Sequence, residues 1–313
     1  FFFIDLSGYK LRYEVTVDGL PKASGNLKLP AVKPRKATLI SIPATALKVD
    51  GAGERFLTIS LIDKSGNEVA WEQFALKATT SAKLKIAKVV TDGLIGFDLA
   101  KIVDKQGNLI LPEQVVAPQL TLWRAPTDND AIGTVSHKWN NWGLRDLKCT
   151  SSKVTKKGKS ALVTKTWKTS KGIAIKHTQK IEVVAGQIKV TETVTLPKQL
   201  DDVARVGINF ELNGALENYE YFGVGPHESV PDRAIGKVGR YFGKVEDQLT
   251  DYIKPQECGG RVGIRWFELR NNQNRGLRIE LDKPRMVTVL PLTSSALADA
   301  THNVYLKRSG TTV

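Results

Sequence analysis

Asp128 and Asp130 bracket Asn129 just after Leu122-Trp123-Arg124-Ala125-Pro126-Thr127, and Trp139 and Trp142 follow. Two carboxylates can divide acid and base roles when they face each other across a reacting bond. Here they sit two residues apart in a polar stretch, which is equally the spacing of a turn whose acids hold their own backbone amides. As a calcium loop the segment fails, because its fifth position is Ile132 and its twelfth, which should be glutamate, is Trp139. Carboxylates beside aromatic faces are also how proteins hold sugars: the ring stacks on C–H groups and the acids accept hydroxyl protons. Loop shaping and ligand contact both stay open for Arg124, Asp128, Asn129 and Asp130. Trp123 is either a sugar platform or part of the core.

A second group surrounds Gly223-Val224-Gly225-Pro226, followed by His227-Glu228. A dinucleotide fingerprint needs a third glycine, and Pro226 withdraws an amide that a phosphate would want. The segment reads as a sharp turn after Tyr219-Glu220-Tyr221-Phe222, which leaves His227 and Glu228 as candidates for carbohydrate contact. The other histidines, His137, His177 and His302, are dispersed, and only His177 and His227 are candidates for an acid–base role. There is no nucleophile elbow and no P-loop. Cys149 and Cys258 are too few and too far apart for a zinc site or a disulfide framework. No residue is singled out as catalytic, and none as a metal ligand.

The elements that must position these residues are strands. Leu11–Val17 alternates with period two and stops at Asp18-Gly19; Ala37–Ile42 and Phe56–Ile62 alternate again, the latter ending at Asp63-Lys64-Ser65-Gly66-Asn67. Short strands with polar turns over residues 1–80 predict an immunoglobulin-like sandwich. The small, polar stretch Lys77–Ala82 reads as a linker. Residues 83–313 predict a second, larger β unit of packed sheets. Its strand candidates are Leu84–Val90, Gly93–Asp98, Ala161–Trp167, Ile173–Thr178, Lys180–Val184, Ile188–Thr195, Val206–Leu212, Arg261–Leu269 and Gly276–Leu281. Helix is expected only near Lys138–Trp142 and Pro291–Asp299. The fold class is all-β.

With 313 residues the chain can bury two cores, and its formal charge is +14. The excess is concentrated in Lys153–Lys180, which holds nine lysines and no acid. A nucleic-acid patch is one explanation. However, the lysines alternate with Val, Thr, Leu and Ile, as on a strand with one wet face, and the run lacks arginine. No nucleic-acid partner is expected. The apolar runs are too short to span a bilayer, so no membrane partner is expected either. Phe1-Phe2-Phe3-Ile4-Asp5 lacks a basic region, so it is not expected to be a signal peptide. Met286 is the only methionine, so the chain is expected to begin within a longer protein or to have been processed. A cytoplasmic setting is expected, with the periplasm as the alternative.

Three segments carry a family resemblance. Leu122–Asp130 resembles the "W-R-A-P-T-D-N-D" segment of glycoside hydrolase family 2 β-galactosidases. Tyr221-Phe222-Gly223-Val224-Gly225-Pro226-His227-Glu228, continuing to Pro231-Asp232-Arg233, is similar to "Y-x-G-x-G-P-x-E-x-Y-P-D-R". Tyr252-Ile253-Lys254-Pro255-Gln256-Glu257 with Gly259 and Arg261 is similar to "Y-x-x-P-Q-E-N-G-x-R". Leu6-Ser7-Gly8-Tyr9 through Trp71-Glu72-Gln73-Phe74 resembles the immunoglobulin-like domain that precedes this region. Ser229, Val230 and Cys258 depart from the family's usual Asn, Tyr and Asn.

The resemblance implies a C-terminal region with a large supersandwich of the galactose-mutarotase type. It implies that Arg124–Asp130 borders the sugar site without supplying a catalytic group. The catalytic glutamates, and the magnesium and sodium ions of the family, would lie in a barrel outside this chain. Relative to the family, the chain is expected to be shortened at both ends. The partners implied are that barrel and a β-galactoside substrate, and the parent is expected to be a homo-oligomer. The alternatives are a free-standing sugar-binding module and an aldose epimerase, which would need a positioned His–Glu pair.

Overall fold

The computed structural model describes residues 3–49, 52–76 and 98–313. The expected linker Lys77–Ala82, the expected strand Leu84–Val90 and all of the expected strand Gly93–Asp98 but Asp98 itself lie outside the described residues. Four antiparallel strands make the N-terminal sheet: β1 (Lys10–Val17), β2 (Leu20–Leu27), β3 (Arg55–Ile62) and β4 (Glu68–Leu76), in the order β2-β1-β3-β4. A short helix, α1 (Ala44–Leu47), precedes β3. Asp18 and Gly19 close the first hairpin with φ of 48° and 75°. That is the pair of positive angles a two-residue turn requires. Gly19 is needed there twice over, because a Cβ would lie 2.8 Å from the Arg240 side chain and 2.9 Å from its backbone nitrogen.

Ala37–Ile42 corrects the sequence reading: it alternates but joins no strand ladder. Its apolar residues find no buried face, and Leu39 is 98% exposed. Prolines 34 and 43 flank it and restrict pairing from both sides.

The larger unit starts with α2 (Leu99–Ile102), whose N-cap Asp98 accepts from Ala100 N. Then follow β5 (Gln114–Thr121), α3 (Asp128–Ile132), α4 (Val135–Trp142), β6 (Lys148–Lys157), β7 (Ser160–Lys168), β8 (Ala174–Val184) and β9 (Gln187–Thr195). The rest comprises β10 (Gly207–Leu212), β11 (Asn218–Gly225), β12 (Lys237–Lys244), β13 (Gly260–Arg270), β14 (Gly276–Thr288), α5 (Ser294–Asp299) and β15 (Thr311–Thr312). They form three sheets, β15-β10-β5, β12-β11-β13-β14 and β6-β7-β8-β9. The fold is all-β, as the alternation predicts. Two expected strands, Ile173–Thr178 and Lys180–Val184, are one continuous strand, β8.

The lysine run lies on β6 to β8; β7 and β8 keep one face wet, and β6 is wet along almost its whole length. Lys165 is the exception: it is 2% exposed, and its Nζ donates to Asn108 Oδ1 at 2.8 Å. Burial pulls its pKa down, so the hydrogen bond stands in for part of the lost hydration. The core beneath the candidate site gathers Leu122, Trp123, Trp139, Leu144, Trp167 and Ile175. Enclosing each such aliphatic side chain is worth roughly 1.5–3 kcal/mol.

The N-terminal sheet packs against β11, β12 and β13. Phe56 packs with Phe222 and Trp266, and Arg265 forks onto Glu54 at 2.7–3.2 Å. Lys237 donates to both oxygens of Glu68 at 2.6 and 2.7 Å. The Gln73 amide pairs with the backbone of Val238, accepting at 2.7 Å and donating at 3.0 Å.

Candidate functional site

The turn after β5 is a short helix rather than an open loop. Thr127 caps α3: its hydroxyl accepts from Asp130 N at 3.3 Å, while Thr127 N donates to Asp130 Oδ2 at 2.7 Å. This reciprocal box satisfies two orphan amides at the helix start. Arg124 closes the other side of Asp130, with its Nη2 2.9 Å from Oδ1 and its Nη1 2.8 Å from Oδ2. The guanidinium also lies over the Trp139 ring, 5.4 Å from its centroid. The indole N–H of Trp139 donates to Asp202 O at 2.9 Å. Asp130 is thus a structural carboxylate, and Arg124 is its partner.

Asp128 faces outward and reaches a different segment. Its backbone N–H donates to Gln256 Oε1 at 3.1 Å, and Gln256 Nε2 donates back to Asp128 Oδ2 at 3.1 Å. Two segments 128 residues apart are joined by this pair. Asn129 is exposed on α3, and so is Ile132, at 81%. On the facing segment Ile253 is 84% exposed.

Glu228 ties the turn after β11 to the same segment. Its Oε1 accepts from Arg233 at 2.9 Å and from the Tyr252 hydroxyl at 3.1 Å; its Oε2 accepts from Gly259 N at 2.6 Å and from Thr250 at 3.2 Å. His227 beside it is exposed. Two of the three family departures, Ser229 and Cys258, lie inside, and Val230 is half-buried. Ser229 is fully buried and its Oγ accepts from Val262 N at 2.9 Å, while Cys258 packs with Leu290, Leu292 and Leu297. Burial pushes the Cys258 thiol up to about 11. Glu257 pairs with Arg205. Arg261 reaches Tyr221 Oη at 3.2 Å and Gln248 Oε1 at 2.8 Å. The sequence named Glu228 but gave no sign that Tyr252, Thr250 and Gly259 would hold it, nor that Gln256 would meet Asp128 or Arg205 meet Glu257.

Trp123 lies 8% exposed in the core with Arg145 over its ring at 5.3 Å, and Arg145 is in turn forked onto Asp299. A His–Glu pair does exist, at His177 Nε2 and Glu192 Oε2, 2.6 Å apart. Its imidazole is sealed, His177 being 1% exposed and held by Trp167 Nε1 at 3.2 Å, while Glu192 reaches it from the exposed side of β9. A sugar could not reach that imidazole. Among the described residues no group of three or more His, Cys, Asp or Glu is placed to hold a metal ion. Among them too, no helix is long and apolar enough to cross a membrane.

The three segments thus converge into one hydrogen-bonded body, and the comparisons give that body its class. Residues 96–313 match the family model of the β-galactosidase small chain, and residues 1–77 match that of β-galactosidase domain 4. The chain belongs to the β-galactosidase family and corresponds to a C-terminal part of such an enzyme. A β-galactosidase of Halalkalibacterium halodurans is 26% identical over 96% of this chain and 32% of its own length. One of Actinobacillus pleuropneumoniae is 25% identical over 98% of the chain and 33% of its own length. A third, from Priestia megaterium, is 26% identical over 69% of the chain and 23% of its own length. The chain therefore spans about a third or less of these relatives.

Proposed function

We propose that this chain supports and completes the sugar site of a retaining β-galactosidase without supplying its catalytic carboxylates. The observation that carries the reading is the engagement of the acids. Asp128, Asp130, Glu228 and Glu257 each hold an amide, a hydroxyl or a cation of the chain itself. Only Asp232 among the motif carboxylates stands exposed without such a bond. Hydrolysis with retention needs two carboxyls about 5 Å apart and free to act on substrate. These acids instead fix a rigid rim.

The partner is the barrel of the parent enzyme, which holds the catalytic glutamates and any magnesium or sodium ions. Support for that docking comes from Ile132 and Ile253, which stand exposed on the two segments joined by Asp128 and Gln256. The substrate is a terminal β-galactoside such as lactose, and the rim borders its acceptor side. The parent assembles as a homo-oligomer.

The test is Asp128→Ala in the full-length parent. KM or acceptor preference is expected to change while the melting temperature stays near wild type. A lowered melting temperature with unchanged kinetic constants would leave the rim a structural role only.

A further inference from the structure

We infer that the uncovered end of the β11–β12–β13 face is a binding site for a neutral oligosaccharide, separate from the rim around Asp128 and Gln256. The site goes beyond the reading above and does not depend on it. An open cleft of about 550 Å³ lies there, within the range of small-molecule pockets.

Register sets its shape. Phe242, Glu220 and Glu268 stand side by side across the three strands, and Lys244, Asn218 and Arg270 form the next rank on the same face. Two interstrand gaps of about 4.8 Å make a platform about 10 Å wide, enough for two pyranose rings laid across it. The Asn271–Asn274 turn and Asp247 form its walls. One rank further along, Arg240, Phe222 and Trp266 occupy the same face, and there Phe56 of the N-terminal sheet covers it. The cleft is what that cover leaves bare.

The lining selects the ligand class. Phe242 is 89% exposed at the open end of a sheet face whose other rings, Phe222 and Trp266, are covered, and among the described residues nothing covers it. A sugar's C–H face is the surface such a ring accepts beside polar groups. Asn218 gives its amide nitrogen to Arg270 O and Asn272, leaving its oxygen; Asn274 gives its oxygen to Arg270, leaving its nitrogen. These leftover groups suit hydroxyls, which both donate and accept.

The charges cancel. Arg270 is shared between Glu268 and Glu220, the latter at 3.8 Å, and Lys244 donates to Glu217 at 2.7 Å. A phosphate finds no uncommitted cation here, and an apolar helix finds a single aromatic ring. A neutral chain of hydroxylated rings meets both the ring and the amides.

Saturation-transfer NMR of the 313-residue chain with lactose, and separately with a neutral galactotriose, tests this. Saturation is expected on the sugar C–H protons, with binding weakened several-fold to about tenfold by Phe242→Ala. Phe242→Trp should preserve binding, and Asp128→Ala should leave it untouched. Since Phe242 is exposed, its alanine variant should melt as wild type does, which keeps lost binding distinct from lost fold. No transfer to either sugar, equal transfer in Phe242→Ala, or loss only in Asp128→Ala would each overturn the assignment. The last of these would move the sugar to the rim.

Discussion

Asp130→Ala should be among the most damaging single changes in the candidate site, and its cost can be worked from the structure. The substitution removes the carboxylate that accepts from Thr127 N and that pairs with Arg124. Losing a helix cap costs about 1 kcal/mol. The ion pair is neither exposed nor sealed: the Arg124 and Asp130 side chains are 21% and 13% exposed. Breaking a sealed pair from one side costs ~3–5 kcal/mol and a surface pair ~0–1 kcal/mol, so about 2 kcal/mol fits this intermediate case. A total of about 3 kcal/mol should lower the melting temperature by roughly 6–12 °C in a unit of this size. Asp128→Ala, on the exposed side, should cost about 0.5 kcal/mol. Calorimetry of both variants, and of the double change Arg124→Ala with Asp130→Ala, makes the check. The double variant should recover about 1 kcal/mol over Asp130→Ala, because no cation is stranded. If Asp130→Ala melts within about 2 °C of wild type, or the double variant is worse than the single, the reasoning fails.

Native chain should react with a disulfide reagent at the exposed Cys149 only, and a second thiol should appear on unfolding, because Cys258 is buried with its thiol raised to about 11. Thiol release at pH 8 before and after denaturant reads this directly. Burial would raise the Glu68 carboxyl, but hydrogen bonds from Lys237 and Ser60 and the charge of Lys237 outweigh it, so its pKa lies below the ordinary 4.5. A depressed carboxylate supports the fold fully above its unfolded value and loses that support as pH falls through the folded one. Acid titration should therefore loosen the contact between the two units below pH 4.5, and Glu68→Gln should flatten that part of the profile at a cost of about 0–1 kcal/mol. The isolated chain should give no turnover of a chromogenic β-galactoside; turnover abolished by a substitution within it would overturn the proposed division of labour.

Strands with clean alternation were legible in the sequence, as Leu11–Val17 and Ala161–Trp167 show. Others were not. β6 reads Lys-Cys-Thr-Ser-Ser-Lys-Val-Thr-Lys-Lys and is wet along almost its whole length, so it has no apolar period. β5 carries Pro118 and β12 two glycines, which argue against a strand until neighbours supply the ladder. At the site, local chemistry was readable and long-range chemistry was not. The acids of Asp128–Asp130 offered a capped turn as one of two readings, and the structure builds it with Asp130. Which acid Arg124 would take depended on the α3 helical turn, and it takes Asp130 rather than Asp128. Gln256 and Glu228 owe their partners to tertiary folding, which no spacing of residues encodes.

Gln73 has a consequence for solubility. β12 is an edge strand, and an edge offers unpaired amides and carbonyls to any passing chain. At Val238 the side-chain amide of Gln73 takes up both groups, as a neighbouring strand would. Arg240 next along donates to Asp18 O, so the same border is fastened a second time. The N-terminal sheet thus serves as a stopper on the larger unit. Expressed without it, residues 98–313 would present β12 as a sticky border, and the expected outcome is self-association through that strand, which Val238→Pro should suppress by removing the donor.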